Sequence, residues 1–427
     1  MMATAMTLLL VLIGLSIPVG AALGVLGLTL DPMFSELPLT RALGEISWNS
    51  NNEFLLVAIP LFILLGEVLL RAGLAEKMYQ SMSLWLSWLP GGLMHANIGA
   101  STLFSATSGS SVATSATVGT VAIPQIKKHG YKESLFLGSL AAGGTLGILI
   151  PPSINLVLYG VLTNSSVPKL YLAGIIPGFM LAGMFILIII IACVLKPEWG
   201  GKKIYASWGE RFRSLVNLLP PLGIFFLVVG SIYAGLATPT EAAALGVFGA
   251  LVLAAFYRRL SLNMLREAIE GTMKSTAMIM LIVIAAAFLN FVMSATGLTN
   301  AITDFIGGLG LSAGWMLLVL VIFYLVLGCF METLSMMITT IPIVTPVMIG
   351  LGYDPVWLGI MIIILVEAAL ITPPVGMNLF VVQSLRKSGS MNDVIVGSLP
   401  FVAAMFVMLL LLSLFPAIAM WMPTTFG

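Results

Sequence analysis

Long apolar stretches alternate with short polar ones along the chain. Residues 4–28, 54–72, 170–195, 214–234, 240–257, 275–296 and 393–420 read as simple membrane spans. At 1.5 Å per residue, about 20 apolar residues cross a hydrocarbon core of roughly 30 Å. The zones 95–126, 133–165, 312–350 and 355–385 are apolar but interrupted by Gly, Ser, Thr and Pro. Residues 74–90 and 258–274 carry mixed faces and predict amphipathic helices at the interface. Residues 196–213 form the main polar linker, with Lys196, Lys202, Lys203, Arg211 and Arg213. The N-terminal stretch has no basic residue before it and is too long for a signal peptide core, so it reads as a retained first helix.

The pattern repeats. "HGYKESLFLGSL" at 129–140 resembles "LGYDPVWLGIMI" at 351–362, and Tyr353 follows Tyr131 by 222 residues. Pro373 follows Pro151 by the same 222, while Gly397 and Pro400 follow Gly174 and Pro177 by 223. Upstream, Gly297-Leu298 follows Gly73-Leu74 by 224. The division implied is a first helix and loop (1–53), a first repeat (54–196), a linker with further spans and an interfacial helix (197–274), and a second repeat (275–427).

Composition narrows the class. Of 427 residues, 59% are hydrophobic and 8% charged, against about 25% charged in a soluble domain. A mean hydropathy of +1.11 agrees. A soluble enzyme and a disordered chain are both excluded. Long apolar runs in place of alternation exclude a β-barrel. Net charge +1 gives no field for nucleic acid. Two cysteines, Cys193 and Cys329, cannot build a disulfide framework. The expected fold is an all-α polytopic membrane protein surrounded by lipid. Basic residues cluster at 71–77, 127–132, 196–213, 258–274 and 386–387, whereas 235–240 and 350–355 have none. Basic clusters placed in the cytoplasm put the N-terminus inside and the C-terminus in the periplasm. Zone 95–126 then enters and leaves from the cytoplasm and zone 312–350 from the opposite side, so the repeats are inverted. That is the plan of secondary transporters, with two re-entrant hairpins and two broken helices.

The candidate chemistry lies in those interruptions. "LFSATSGSSVATSATVGT" (103–120) is dense in hydroxyls, and its turn is expected at Ser108–Ser111. Thr117 and Thr120 read as packing residues; the 105–111 cluster reads as a ligand set. "GILIPPSIN" (147–155) and "ALITPPVGMN" (369–378) place paired prolines, which lack N–H groups, in apolar surroundings. Carbonyls freed there suit a bare cation, and each break is followed by an Asn, Asn155 or Asn378. The second hairpin turn, by the 222 offset, is Gly328-Cys329-Phe330-Met331-Glu332-Thr333. Glu332 is an intramembrane acid and a functional candidate. Glu67 and Glu367 lie in or beside spans; Glu241 in "TPTE" reads as part of a helix cap. His95 and His129 read as interfacial and loop histidines near the surface.

The sequence resembles the large membrane subunit of the tripartite ATP-independent periplasmic (TRAP) transporters. The matching stretches are "SGSSVATSATVGTVAIPQIKKHGY" (108–131), "AAGGTLGILIPPSI" (141–154), "AGIIPG" (173–178), "ATPTEAAALG" (237–246) and "ITPPVGMNLFV" (371–381). The resemblance implies a Na⁺-driven importer of organic acids, mainly sialic acids or C4-dicarboxylates, in a bacterial inner membrane. It also implies a small four-helix membrane subunit, expected as a separate polypeptide, and a soluble periplasmic binding protein that delivers the substrate. The implied movement is an elevator, in which the domain with both hairpins slides past a fixed scaffold. Helices 74–90 and 258–274 would link the two.

On that basis about two Na⁺ sites are expected. One joins Ser105 and Ser108 to Gly147, Ile150 and Pro151. The other joins Gly328 and Thr333 to Thr372 and Pro373. Hydroxyls and carbonyls suit a hard cation. The anion would lie between the turns, near Ser108, Ser110, Ser111, Thr114, Asn155 and Asn378. The absence of an obvious intramembrane Arg tilts the substrate toward sialic acid. Two rivals remain: proton coupling through Glu332 or Glu367, and an intramembrane serine hydrolase at Ser108–Ser111. The second lacks a base in reach of its nucleophile.

Overall fold

The computed structural model describes residues 2–15, 17–202, 205–298, 301, 308, 310, 312–328, 331–373, 376–386 and 388–427. Cys329 and Phe330 of the second turn, and the basic residues Lys203 and Lys387, lie outside the described residues, as does the Ser108 side chain. Twenty α-helices occur among the described residues. Six are long and apolar enough to cross a membrane, or up to eight if each bent pair counts as one span.

The expected single first helix is two: α1 (Met2–Gly14) and α2 (Val19–Phe34). Pro18 is the N-cap of α2. It cannot donate to the previous turn and it disfavours helical backbone at Ile17, so the apolar run breaks there. Part of the expected connecting loop is also helical, as α3 (Leu43–Asn51). Asp31, buried in α2, ties this region down by accepting from the Leu39 and Thr40 amides at 3.1 and 3.0 Å.

Next come α4 (Ala58–Arg71) and the expected amphipathic helix, α5 (Leu74–Leu86). The first hairpin follows as α6 (Leu93–Ser108) and α7 (Ser111–His129). The first broken helix is α8 (Glu133–Leu149) and α9 (Ile154–Thr163), bent by 43°. After α10 (Val167–Leu195) the linker holds α11 (Trp208–Ser214), then α12 (Leu219–Tyr233) and α13 (Pro239–Phe256). Glu241 closes a capping box with Thr238 at the start of α13, as its sequence suggested.

Residues 258–274 and 275–296 differ from expectation. They do not form an interfacial helix followed by a span; Leu262–Ala295 is one 34-residue helix, α14. The polarity changes partway along, but no proline interrupts the backbone ladder, so the helix continues. The second half of the chain then holds α15 (Ala313–Leu327), α16 (Thr333–Gly350), α17 (Pro355–Ile371), α18 (Met377–Ser384) and α19 (Met391–Leu414). A last helix, α20 (Ala417–Phe426), starts after Pro416 and divides the expected 393–420 span.

Helix starts keep the spacing of the sequence. Ser111 of α7 and Thr333 of α16 are 222 apart, and so are Glu133 of α8 and Pro355 of α17. The starts of α9 and α18 are 223 apart. Both tyrosines reach back to the hairpin before them. Tyr131 Oη accepts from the Leu93 amide at 3.0 Å, and Tyr353 Oη donates to the Ala313 carbonyl at 2.9 Å.

Two packing groups emerge. In one, α8 contacts α6, α7, α10, α17 and α19. Residues Leu135–Leu149 of α8 and Val356–Ile371 of α17 are buried all round, the pattern of core helices. Gly138 and Gly397 let α8 and α19 cross backbone to backbone, where a Cβ on either would overlap the other helix. The second group joins α2, α4, α12, α13 and α14. Its outer face is apolar: Leu245, Phe248, Val252 and Phe256 of α13 are exposed along one stripe, as lipid contact requires. The groups meet where α4 touches α6 and α9, α12 touches α6, and α14 touches α16.

Candidate functional site

The first hairpin turns at Gly109, whose φ of +60° is left-handed. Glycine adopts that conformation without the Cβ penalty other residues meet. Ser110 follows in extended conformation and caps α7, its side chain accepting from the Ala113 amide at 3.3 Å. The turn therefore falls at Ser108–Ser111, where the glycine in the hydroxyl run placed it. It abuts the first break: a Cβ on Gly109 would lie 3.2 Å from the Pro152 carbonyl oxygen.

The glycines of "AAGGTLG" explain how the hairpin comes so close to α8. A Cβ on Gly143 would meet Ser101 Oγ at 3.0 Å, and one on Gly144 would overlap Ser115. At Gly147 it would lie 3.1 Å from the Ser110 carbonyl oxygen and 3.2 Å from Ser105 Oγ. Ser105 is fully buried and its hydroxyl has no partner among the described residues. Such an orphaned hydroxyl is costly unless something occupies it. Ser105, Gly147 and the Ser110 carbonyl thus converge, and Ile150 and Pro151 follow buried at the break.

The breaks are less open than the sequence suggested. The Ile148 carbonyl accepts from Ser153 Oγ, and Ser153 also caps α9. In the second break the Ile371 carbonyl accepts from Ser398 Oγ at 3.3 Å. Thr372 donates to the Ala368 carbonyl at 2.6 Å, and Pro373 beside it is half-buried. Gly328 ends α15 pressed against Ala369 of α17, so the second turn touches the second broken helix.

A cavity of about 310 Å³ lies between the two turns. Ser110, Ser111 and Asn155 line it from the first half, and Glu332 and Thr333 from the second. Opposite them stand Gly66 and Glu67 of α4 and Ser275 of α14. The sequence reading had no place for that second wall. Its signal was the Glu67–Arg71 spacing of four residues, an ion pair on one face of a helix; the pair forms, and Arg71 also reaches Glu267 at 3.6 Å.

The remaining candidates separate. Asn155 is 4% exposed, lines the cavity and has an unpartnered Nδ2. Its counterpart Asn378 is fully buried and does not line the cavity; its Nδ2 donates to Ser111 Oγ at 2.6 Å. Thr114 is buried too and donates to the Ser110 carbonyl at 2.7 Å. Glu332 is the N-cap of α16, accepting from the Ser335 amide and hydroxyl, each at 3.3 Å. Glu367 is fully buried in α17, its carboxyl set against the Ile148 and Leu149 backbone at the end of α8. Thr117 and Thr120 bond to their own helix, at the carbonyls of Ala113 and Ala116.

His95 is not near the surface: it is fully buried, with Nε2 held 2.7 Å from the Pro90 carbonyl. It sits in the first turn of α6, whereas the serine cluster ends that helix. His95 and Ser108 stand about three and a half turns apart, roughly 20 Å of helix at about 1.5 Å rise per residue. His129 lies at the base of α7, where desolvation, Lys128 and Lys202 push its imidazole below the ordinary range. Neither histidine supplies the base that a serine nucleophile at the turn would need.

These features define a helical membrane protein with a cavity of mixed lining, largely apolar with a few polar side chains, enclosed by two hairpin turns, two broken helices and a second helical wall. The family model "Tripartite ATP-independent periplasmic transporter, DctM component" matches residues 6–418. The C4-dicarboxylate TRAP transporter large permease protein DctM of Vibrio cholerae is 32% identical over 96% of this chain and 94% of its own. The sialic acid TRAP transporter large permease protein SiaM of the same organism is 32% identical over 88% of this chain and 87% of its own. Among solved structures, the Alcanivorax borkumensis YdaH transporter matches with a TM-score of 0.56, covering 87% of this chain and 89% of that one. At 17% identity that match speaks for the fold alone. The chain belongs to the DctM family: it is the large membrane subunit of a TRAP transporter.

Proposed function

We propose that this subunit carries out Na⁺-coupled uptake of a carboxylate across a bacterial inner membrane, working with a small membrane subunit and a periplasmic binding protein that hands over the substrate. The observation that carries this reading is the cavity between the turns, where Ser110, Ser111 and Asn155 face Glu332 and Thr333. Sodium suits the first turn because Ser105 Oγ is buried without a partner beside Gly147 and the Ser110 carbonyl. By the 222-residue spacing, a second ion belongs near Gly328, Thr333, Thr372 and Pro373. The two halves are read as inverted repeats, with the N-terminus cytoplasmic and the C-terminus periplasmic.

The movement we propose is an elevator. The group around α8 and α17 carries both turns and slides against the group around α4, α13 and α14. Support comes from the separate packing of the groups and from the cavity between them. A disulfide engineered between α12 and α6, which touch in this structure, is expected to stop uptake and leave Na⁺ binding intact. Continued uptake in a fully crosslinked sample removes the elevator.

The coupling test is uptake into proteoliposomes holding both membrane subunits, with the loaded binding protein outside. Uptake is expected to follow an inward Na⁺ gradient. Equal uptake in Na⁺-free vesicles under a proton gradient selects a second reading, proton coupling. Glu367 gives that alternative an observation of its own, since its carboxyl is fully buried and is in no ion pair among the described residues.

A further inference from the structure

The two ends of the cavity carry opposite electrostatic character. At the first end α7 begins with a neutral cap, Ser110, and has no acid in its first turn. Its N-terminal partial positive charge is therefore uncompensated and favours an anion. Asn155 Nδ2 is a second, independent sign of a ligand there. Asn155 is 4% exposed and lines the cavity, and its amide donor has no hydrogen-bond partner among the described residues.

The second end is different. The cap of α16 is the carboxylate of Glu332, so that helix N-terminus is already neutralised by its own chain. No Lys, Arg or His is among the described residues lining the cavity. Of its two acids, Glu67 is paired with Arg71. Glu332 is in no ion pair among the described residues. An anionic group brought to this end meets a like charge in a poorly solvated space. A cationic group meets an acceptor with no other basic partner.

We propose that the cavity takes a zwitterionic substrate: a carboxylate that also carries a cationic group. The carboxylate lies at Ser110, Ser111 and Asn155, and the cation at Glu332. This deepens the transport reading above and rests on it. Glu332 becomes a specificity-determining residue that selects against dianions.

The test uses the purified complex of both membrane subunits in nanodiscs, with ligand affinity measured by calorimetry in Na⁺ and again in K⁺. The probes are ectoine and glycine betaine as zwitterions, and succinate as a dianion. The expected result is binding of at least one zwitterion and at least tenfold weaker binding of succinate. Glu332→Gln should weaken the zwitterion by about tenfold or more, the order of a close charge pair, and narrow or reverse the gap to succinate. Glu332→Asp retains the charge and should retain the wild-type ranking. The idea is overturned if wild-type protein binds succinate as tightly as either zwitterion, or binds neither zwitterion. It is overturned equally if Glu332→Gln moves only the Na⁺ requirement and leaves the ranking alone. Ranking and coupling are read separately. Equal affinities in Na⁺ and K⁺ would count against sodium coupling while leaving the ranking to decide the substrate class.

Discussion

Asn155 and Asn378 occupy corresponding places, 223 residues apart, each in the first turn of the helix after a break. Asn155 lines the cavity with a donor that has no partner among the described residues, whereas Asn378 spends its donor on Ser111 of the other half. The turns diverge likewise: a serine caps α7 and a glutamate caps α16. Repetition conserves where the backbone bends, since that depends on Gly, Pro and the burial pattern. It does not conserve what the side chains at the bend are used for.

The comparison can be broken most forcefully at the crossing glycines Gly397 and Gly174, also 223 apart. A Cβ on Gly397 overlaps the backbone of Ser134 and Gly138, which cannot give way. One on Gly174 meets the Leu149 carbonyl at 2.6 Å, with the other two contacts at 3.5 and 3.8 Å to side chains that can shift. Gly174→Val should cost about 1–3 kcal/mol, the usual penalty of overpacking, and Gly397→Val more. Thermal unfolding of the detergent-solubilised complex measures both, and equal losses would mean the two crossings are mechanically alike.

A smaller effect separates the asparagines. Asn378→Ala removes a buried hydrogen bond and should lower stability by about 1–3 kcal/mol. Asn155→Ala should leave the melting temperature almost unchanged and raise the half-saturating substrate concentration about tenfold, the loss of one hydrogen bond to a charged group. If Asn155→Ala destabilises as much as Asn378→Ala, Asn155 is a strut too.

The smallest effect is at the hydroxyls. Ser105 and Ser115 are equally buried and equally unpartnered, but Ser105 faces Gly147 beside the break and Ser115 faces Gly144 a turn away. Ser105→Ala should raise the Na⁺ concentration for half-maximal uptake about fivefold, corresponding to roughly 1 kcal/mol. Ser115→Ala should not shift it. A shift in both would extend the ion site along α8; a shift in neither would remove Ser105 from it.

The bends were legible in the sequence because their causes are local. Gly109 amid hydroxyls, the prolines at 151–152 and the repeat spacing all act within a few residues of the feature they create. What escaped depends on distant partners or on continuity. Glu67 and Ser275 reach the cavity only because α4 and α14 pack across from the turns. His95 reads as a surface residue because its polarity is visible in the sequence and its partner, the Pro90 carbonyl, is not. The unity of α14 was masked because polarity changes along it, although polarity governs which surroundings a helix meets and not whether its ladder continues. Pro18 was visible in the first apolar run, and its neglect made one helix of two.

The bond from Asn378 to Ser111 has a thermodynamic consequence. It joins the helix after the second break to the first residue of α7, so the order of one turn is tied to the order of the other half. A ligand that immobilises Ser111 also immobilises Asn378, and part of the entropy of arranging the second half is then already spent. Linkage would make such an effect reciprocal: if each side binds a ligand, occupancy of either would tighten the other by the same factor. Through this single contact the protein has a route to positive cooperativity between its halves that needs no large change of shape.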